Sequence, residues 1–170
     1  MLTTKRLELR EMTPSDFPAL RAILQDPDVM YAYNGAFDDA ETQAWLDRQL
    51  SRYHEYEHRF GLWAVVLPET GDMIGQCGLT MQPWKDRQVL EIGYLFRKDC
   101  WHQGYATEAA IACREYAFAI LGADEVCSII RDTNLPSQRV ALRNGMQPAD
   151  TWVKRYRGED MPHILFSVRR

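Results

Sequence analysis

Val89-Leu90-Glu91-Ile92-Gly93-Tyr94-Leu95-Phe96, followed by Arg97-Lys98-Asp99-Cys100-Trp101-His102-Gln103-Gly104-Tyr105-Ala106-Thr107-Glu108, is the stretch that decides the fold. In its first half Leu90, Ile92, Tyr94 and Phe96 recur at every second position, the period of a strand with one face on a core. Beyond the polar loop the period changes. Ala106, Ala109, Ala110, Cys113, Ala117, Ile120 and Leu121 follow the spacing of a buried helical stripe, and Gly122 stands where a helix stops. Strand, loop and helix are therefore predicted, with Gly104 at the helix mouth. The first N–H groups of a helix have no partner within it, and its dipole places positive charge there. Gly104, small Ala106 and the Thr107 hydroxyl leave room for a phosphate at that point. The other reading of Gly104 is a loop dihedral and nothing more. The Gly-x-Gly-x-x-Gly motif and the Walker phosphate loop are both absent.

Outward from this unit, Leu2 to Met12 alternates as a strand, and Thr13-Pro14-Ser15-Asp16 opens a helix buried through Phe17, Leu20, Ile23 and Leu24. A second helical pattern runs from Asp38 to Glu57. Between the two lies the aromatic segment Tyr31 to Phe37, a packed loop or the lining of an acceptor pocket. Phe60 to Leu67, Met73 to Met81 and the Val89 strand follow, joined by a turn at 68–72 and a loop holding Pro83 and Trp84. Turns this short imply antiparallel hairpins. After the central helix come a strand at Val126 to Ile130, a helix from Asn134 to Asn144 stopped by Gly145, and strand-like runs at Thr151 to Tyr156 and Ile164 to Val168 flanking a turn at Arg157-Gly158. The reading is a mixed α/β sheet in one domain, residues 1–170. The strand–helix–strand crossover after Phe96 makes its two strands parallel, and ligands favour the carboxyl ends of such strands. Both helix mouths, at Gly104 and at Asn134, lie at that end.

At 170 residues, 46% apolar and 26% charged, the chain has the makings of an ordinary globule. A net charge of −4 argues against a nucleic-acid partner. No apolar run approaches the ~20 residues of a membrane span, and no signal peptide is expected. Cys77, Cys100, Cys113 and Cys127 show no metal-ligand spacing, so reduced thiols in a cytoplasmic protein, with no metal, are expected.

The loop Trp101-His102-Gln103-Gly104-Tyr105-Ala106-Thr107-Glu108-Ala109 and the later set Asn134, Ser137, Val140, Ala141, Asn144 and Gly145 occur in that order. Together with Thr4 to Arg10 and Tyr156-Arg157-Gly158 to Phe166, they resemble the GNAT superfamily of acetyl-CoA-dependent N-acetyltransferases, nearly end to end. Within it they resemble the ribosomal-protein-alanine acetyltransferase branch. Trp101 stands where the superfamily has Gln or Arg, His102 where glycine is frequent, and Met146 where the family has phenylalanine.

The resemblance implies a mostly antiparallel sheet flanked by helices, with a splayed parallel strand pair at the cofactor site. It implies acetyl-CoA as co-substrate, with pantetheine on the backbone of Tyr94, Leu95 and Phe96. The pyrophosphate falls on His102, Gln103, Gly104, Tyr105, Ala106 and Thr107, with Asn134 and Ser137 beside the pantetheine. N–H groups near Leu95 or Phe96 would hold the oxyanion. Ser137 is the matching proton donor to the leaving thiolate, or else a first-turn serine that ties down backbone. Glu91 is the candidate base, or else a paired, solvated strand carboxylate, and Glu108 complements the helix dipole. Tyr105 stacks on cofactor or packs, and His163 reads as structural. The acceptor is a protein N-terminus or a small amine. A non-catalytic CoA-binding sensor with the same fold is the alternative, and a homodimer is among the states the sequence allows.

Overall fold

The computed structural model describes residues 1–156 and 158–170. The turn residue Arg157 lies outside the described residues. In chain order the elements are β1 (Leu2–Thr3), β2 (Glu8–Arg10), α1 (Phe17–Leu24), α2 (Pro27–Met30), α3 (Asp39–Glu55), β3 (Leu62–Val66), β4 (Met73–Trp84), β5 (Arg87–Phe96), α4 (Tyr105–Ala119), β6 (Glu125–Arg131), α5 (Leu135–Arg143), β7 (Gln147–Tyr156) and β8 (Glu159–Arg169). Among the described residues the strands form one sheet in the order β1-β2-β3-β4-β5-β6-β8-β7. Every neighbouring pair is antiparallel except β5 and β6. The predicted mixed sheet and its parallel crossover are thus present.

Several boundaries moved, each for a local reason. Leu2 to Met12 is two strands, not one, because the Thr4 N–H reaches the Leu7 carbonyl at 2.8 Å and closes a turn. Pro83 and Trp84 are strand rather than loop, opposite Gln88 and Arg87. β3 accompanies β4 only as far as Gly78. Past it the Leu79 N–H reaches the Gly61 carbonyl and the Met81 N–H the Tyr56 hydroxyl. At Pro83 this edge has no neighbouring strand among the described residues, so a proline forfeits no ladder hydrogen bond. Ile120, counted in the helical stripe, lies past the end of α4 and is 65% exposed.

The two faces of the sheet are covered by different helices. Cys77 and Tyr94 share one face, as cross-strand partners do, and Cys77 Sγ lies 3.7 Å from Cys113 Sγ of α4. Ala109, Ala110, Cys113 and Ala117 are fully buried, and side chains this small let the α4 backbone settle close to the strands. α5 is bound to α4 through Asn144, whose amide donates to the Ala110 carbonyl at 3.3 Å. Its own carbonyl accepts from Arg114 at 2.7 Å. On the opposite face α3 begins with a reciprocal cap, Glu41 N–H to Asp38 Oδ1 at 2.8 Å and Asp38 N–H to Glu41 Oε2 at 3.0 Å. The Trp45 indole of α3 donates to Gln76 Oε1 at 3.0 Å, fixing the helix over β4. Gly78 allows β3 its approach: a Cβ there would sit 1.9 Å from the Gly61 carbonyl oxygen.

Candidate active site

β5 and β6 touch and then part. Their parallel register consists of one pair, Glu91 opposite Cys127. Just beyond it side chains replace the backbone ladder. The Ser128 hydroxyl donates to the Ile92 carbonyl at 2.8 Å, and the Ile129 N–H donates to Glu91 Oε1 at 3.2 Å. A carboxylate thus stands where a strand carbonyl would, and the strands diverge from there. Arg97 N–H bonds the Ile74 carbonyl, so antiparallel alternation turns the backbone groups of Leu95 towards β4. Those of Tyr94 and Phe96 face the opening. The Phe96 carbonyl is already taken by the Trp101 indole at 2.9 Å. Available backbone groups at the opening are therefore those of Tyr94 and the Phe96 N–H. Leu95 contributes its side chain to the groove lining.

The opening continues into a groove of about 1720 Å³ that runs past the loop and both helix mouths. Gly104 caps α4 with φ 81°, and His102 before it also has a positive φ, 61°. A glycine holds this geometry without strain; a histidine holds it at some cost. The N–H groups of residues 103–107 find no acceptor among the described residues and stand at the positive end of a fifteen-residue helix. That arrangement suits a pyrophosphate. His102, Gln103, Tyr105, Ala106 and Thr107 all line the groove here.

Asn134 caps α5 by accepting the Ser137 N–H on Oδ1 at 3.2 Å. The tie to backbone is therefore made by Asn134, and the Ser137 hydroxyl carries no hydrogen bond among the described residues. Tyr94 spans the opening and donates its hydroxyl to the Ser137 carbonyl at 2.9 Å, with its ionisation pushed well up by burial. From the other wall the Tyr31 hydroxyl reaches Asn134 Oδ1 at 2.8 Å, and Asp28 meets Lys98. The aromatic segment from Tyr31 to Phe37 therefore contributes Tyr31, Tyr33 and Phe37 to the groove. Tyr33 and Phe37 meet the Trp45 ring edge-on at 6.4 and 5.9 Å.

Glu91 shares its face with Thr80, Gly93, Gly78, Leu95 and Gln76, the face covered by α3. It is half-buried and has no ion-pair partner among the described residues. Loss of water raises its pKa, against the Ile129 N–H and the charges of Lys154 and Arg52, which pull it down. The solvated, paired strand carboxylate is not what the structure contains. His163 gives Nδ1 to the Met161 carbonyl at 2.8 Å, and burial lowers its pKa, as suits a neutral structural histidine.

Two features of the loop escape the sequence. Arg6, far away in the chain, donates Nη1 to the Gln103 carbonyl at 2.9 Å, pairs with Glu108 at 2.6 Å and lies over the Tyr105 ring at 4.6 Å. Glu108 is thus a tether for the N-terminus, receiving Thr4 Oγ1 at 2.6 Å and the Arg6 N–H at 3.0 Å. Burial would raise its pKa, but the Thr4 and Arg6 hydrogen bonds outweigh that and hold it low. Nor does spacing announce Trp101 as the indole that closes off β5.

Residues 6–147 match the family described as the acetyltransferase (GNAT) domain. The chain is 36% identical over 151 residues to YkkB of Bacillus subtilis, itself uncharacterized, covering 88% of this chain and 87% of that protein. A crystal structure of an acetyltransferase from Agrobacterium tumefaciens superposes with a TM-score of 0.82 at 31% identity, covering 99% of this chain and 94% of the other. The ribosomal L7/L12 N-terminal acetyltransferase RimL, solved in complex with coenzyme A, shares the fold at 16% identity with a TM-score of 0.78, over 98% and 95% of the two chains.

Proposed function

The chain belongs to the GNAT acetyltransferase family, and from that premise we propose that residues 1–170 form one N-acetyltransferase domain, moving an acetyl group from acetyl-CoA to a primary amine. A protein N-terminus and a small amine are both within the reading. The observation that carries it is the parting of β5 from β6 into a groove that ends at the Gly104 helix mouth.

Each residue then has a task. The N–H groups of residues 103–107 hold the pyrophosphate, with Arg6 and Glu108 fixing the loop from behind. The backbone of Tyr94 and Phe96 holds the pantetheine arm as an added strand would be held. The thioester supplies the acetyl group. The amine nitrogen bonds to its carbonyl carbon while the Phe96 N–H supports the oxygen that gains charge. Glu91, directly or through one water, takes the proton the ammonium must lose, and its raised pKa brings it nearer to working pH. As the carbon–sulfur bond breaks, the unengaged Ser137 hydroxyl gives its proton to the thiolate and recovers one from solvent. The hydroxyl's freedom from backbone contacts supports that role.

Transfer of labelled acetyl from acetyl-CoA to a panel of amines tests the proposal. Turnover on at least one amine is expected. Tight CoA binding with no transfer to any amine would leave the non-catalytic sensor as the reading.

A further inference from the structure

The wall of the groove beneath α3 carries four cations on the side of the sheet that also bears Glu91. Trp45, Arg48 and Arg52 stand at i, i+3 and i+7, one face of that helix, and all three line the groove. Arg131 of β6 and Lys154 of β7 line it as well. None of these four cations forms an ion pair among the described residues. Arg48 lies over the Trp45 ring at 5.3 Å and Lys154 over the Trp152 ring at 5.6 Å. Among the described residues Arg52 reaches only Gln49 Oε1 at 3.4 Å, and Arg131 only the Tyr31 carbonyl at 3.3 Å. Three of the groove's carboxylates are already matched: Asp28 by Lys98, Glu108 by Arg6 and Glu115 by Arg114. Among the described residues Glu91 is the groove carboxylate left without an ion pair, and it faces these four cations, while Arg139 and Arg143 of α5 add unpaired charge elsewhere in the lining.

Two buried donors in the same lining are also unmet among the described residues. Gln76 is 1% exposed, its Oε1 is held by Trp45, and its Nε2 has no partner. Arg131 Nε is buried and likewise without one. Proteins rarely leave buried N–H groups unpaired, and both of these can donate to acceptor oxygens of a bound molecule.

We propose that the amine acceptor bears a carboxylate a few bonds from its reactive nitrogen, the ammonium end directed to Glu91 and the carboxylate to the cations of the α3 wall. This rests on the acetyltransferase reading and narrows it to an acceptor class. Arg52, Lys154 and Glu91 all line the same groove, so the two ends of a short zwitterion fall within one site. A polyamine would meet like charge at the same wall.

The test uses the full chain with acetyl-CoA and matched amines that differ in one charge. One pair is 4-aminobutanoate and 4-aminobutanamide; the other is the peptides Asp-Ala-Ala and Asn-Ala-Ala, with spermidine as the polycation. The carboxylate member should lead by about 10- to 100-fold in kcat/KM, the worth of a charged hydrogen bond, and its lead should shrink with added salt. Whichever pair shows the larger lead tells a free small molecule from a peptide N-terminus. Arg52→Gln and Lys154→Gln should each cut the preference towards parity while calorimetric CoA affinity holds. Equal rates within both pairs, or spermidine ahead, would overturn the inference and leave acetyl transfer standing. Should no amine be acetylated, titration of the CoA-loaded protein with each pair decides the matter separately. Heat for the carboxylate alone, lost in Arg52→Gln, would sustain the charged wall without the chemistry. Equal heats within a pair, or none, would overturn it.

Discussion

Replacing Glu91 by glutamine separates two jobs that meet in one side chain. Structurally, Glu91 Oε1 accepts the Ile129 N–H at 3.2 Å, just past the register pair Glu91–Cys127 that joins β5 and β6. A glutamine oxygen can accept the same bond. The opening should therefore survive, with stability within about 1 kcal/mol of wild type, the size of one net hydrogen bond. Chemically the base is gone, and kcat/KM at neutral pH should fall by about 10²–10⁴-fold. The acid limb of the wild-type pH profile should sit above the ordinary carboxylate range, because loss of water raises this pKa. In Glu91→Gln that limb should vanish. Stability follows the same sign. A carboxyl whose pKa is raised on folding binds its proton more tightly in the native state. The contribution of Glu91 to stability is then greatest below the unfolded carboxyl's pKa, about 4.3, and declines as pH rises through the folded value. Glu91→Gln should lack that decline. Glu91→Ala should instead orphan the Ile129 N–H and cost about 1–3 kcal/mol. Stopped-time acetyl transfer across pH 5 to 9 is the main assay, with thermal unfolding and CoA calorimetry beside it. A wild-type pH profile in Glu91→Gln would refute the assignment of the base.

Ser137→Ala should lower kcat by about 10²–10⁴-fold with acetyl-CoA affinity unchanged, since Asn134 and not the serine hydroxyl caps α5. A loss of affinity or of melting temperature, with turnover per bound complex intact, would make the serine a ligand only. Gly104→Val should abolish measurable CoA binding by calorimetry, because a branched residue resists φ 81° and its Cβ would project into space 3.5 Å from Arg6. Glu108→Gln should weaken CoA binding through the loop, as Arg6 loses its charged partner. Glu108 is held low on folding, so its contribution is present above the unfolded carboxyl pKa and fades as pH falls through the folded one. A melting-temperature profile of Glu108→Gln against wild type, flatter at the acid end, is the expected result.

The sequence by itself determined what repeats locally. Alternation of Leu90, Ile92, Tyr94 and Phe96 placed the central strand, and the alanine-rich stripe placed α4, because strand and helix periods depend on neighbours a few residues away. Gly104 and the helix mouth at Asn134 were legible for the same reason: each answers a need of the adjacent backbone. What only the tertiary structure decided is long-range. Arg6 reaches Glu108 across about a hundred residues of chain, Tyr31 reaches Asn134, and Trp101 turns back to close the Phe96 carbonyl. No period records such contacts. The acceptor wall is the plainest case. Arg48 and Arg52 look like a solvated helix face, and Lys154 looks like a strand charge, when each is read in its own segment. They become one wall because β5 and β6 part and α3 packs over Gln76, which brings charges from distant segments together around one groove.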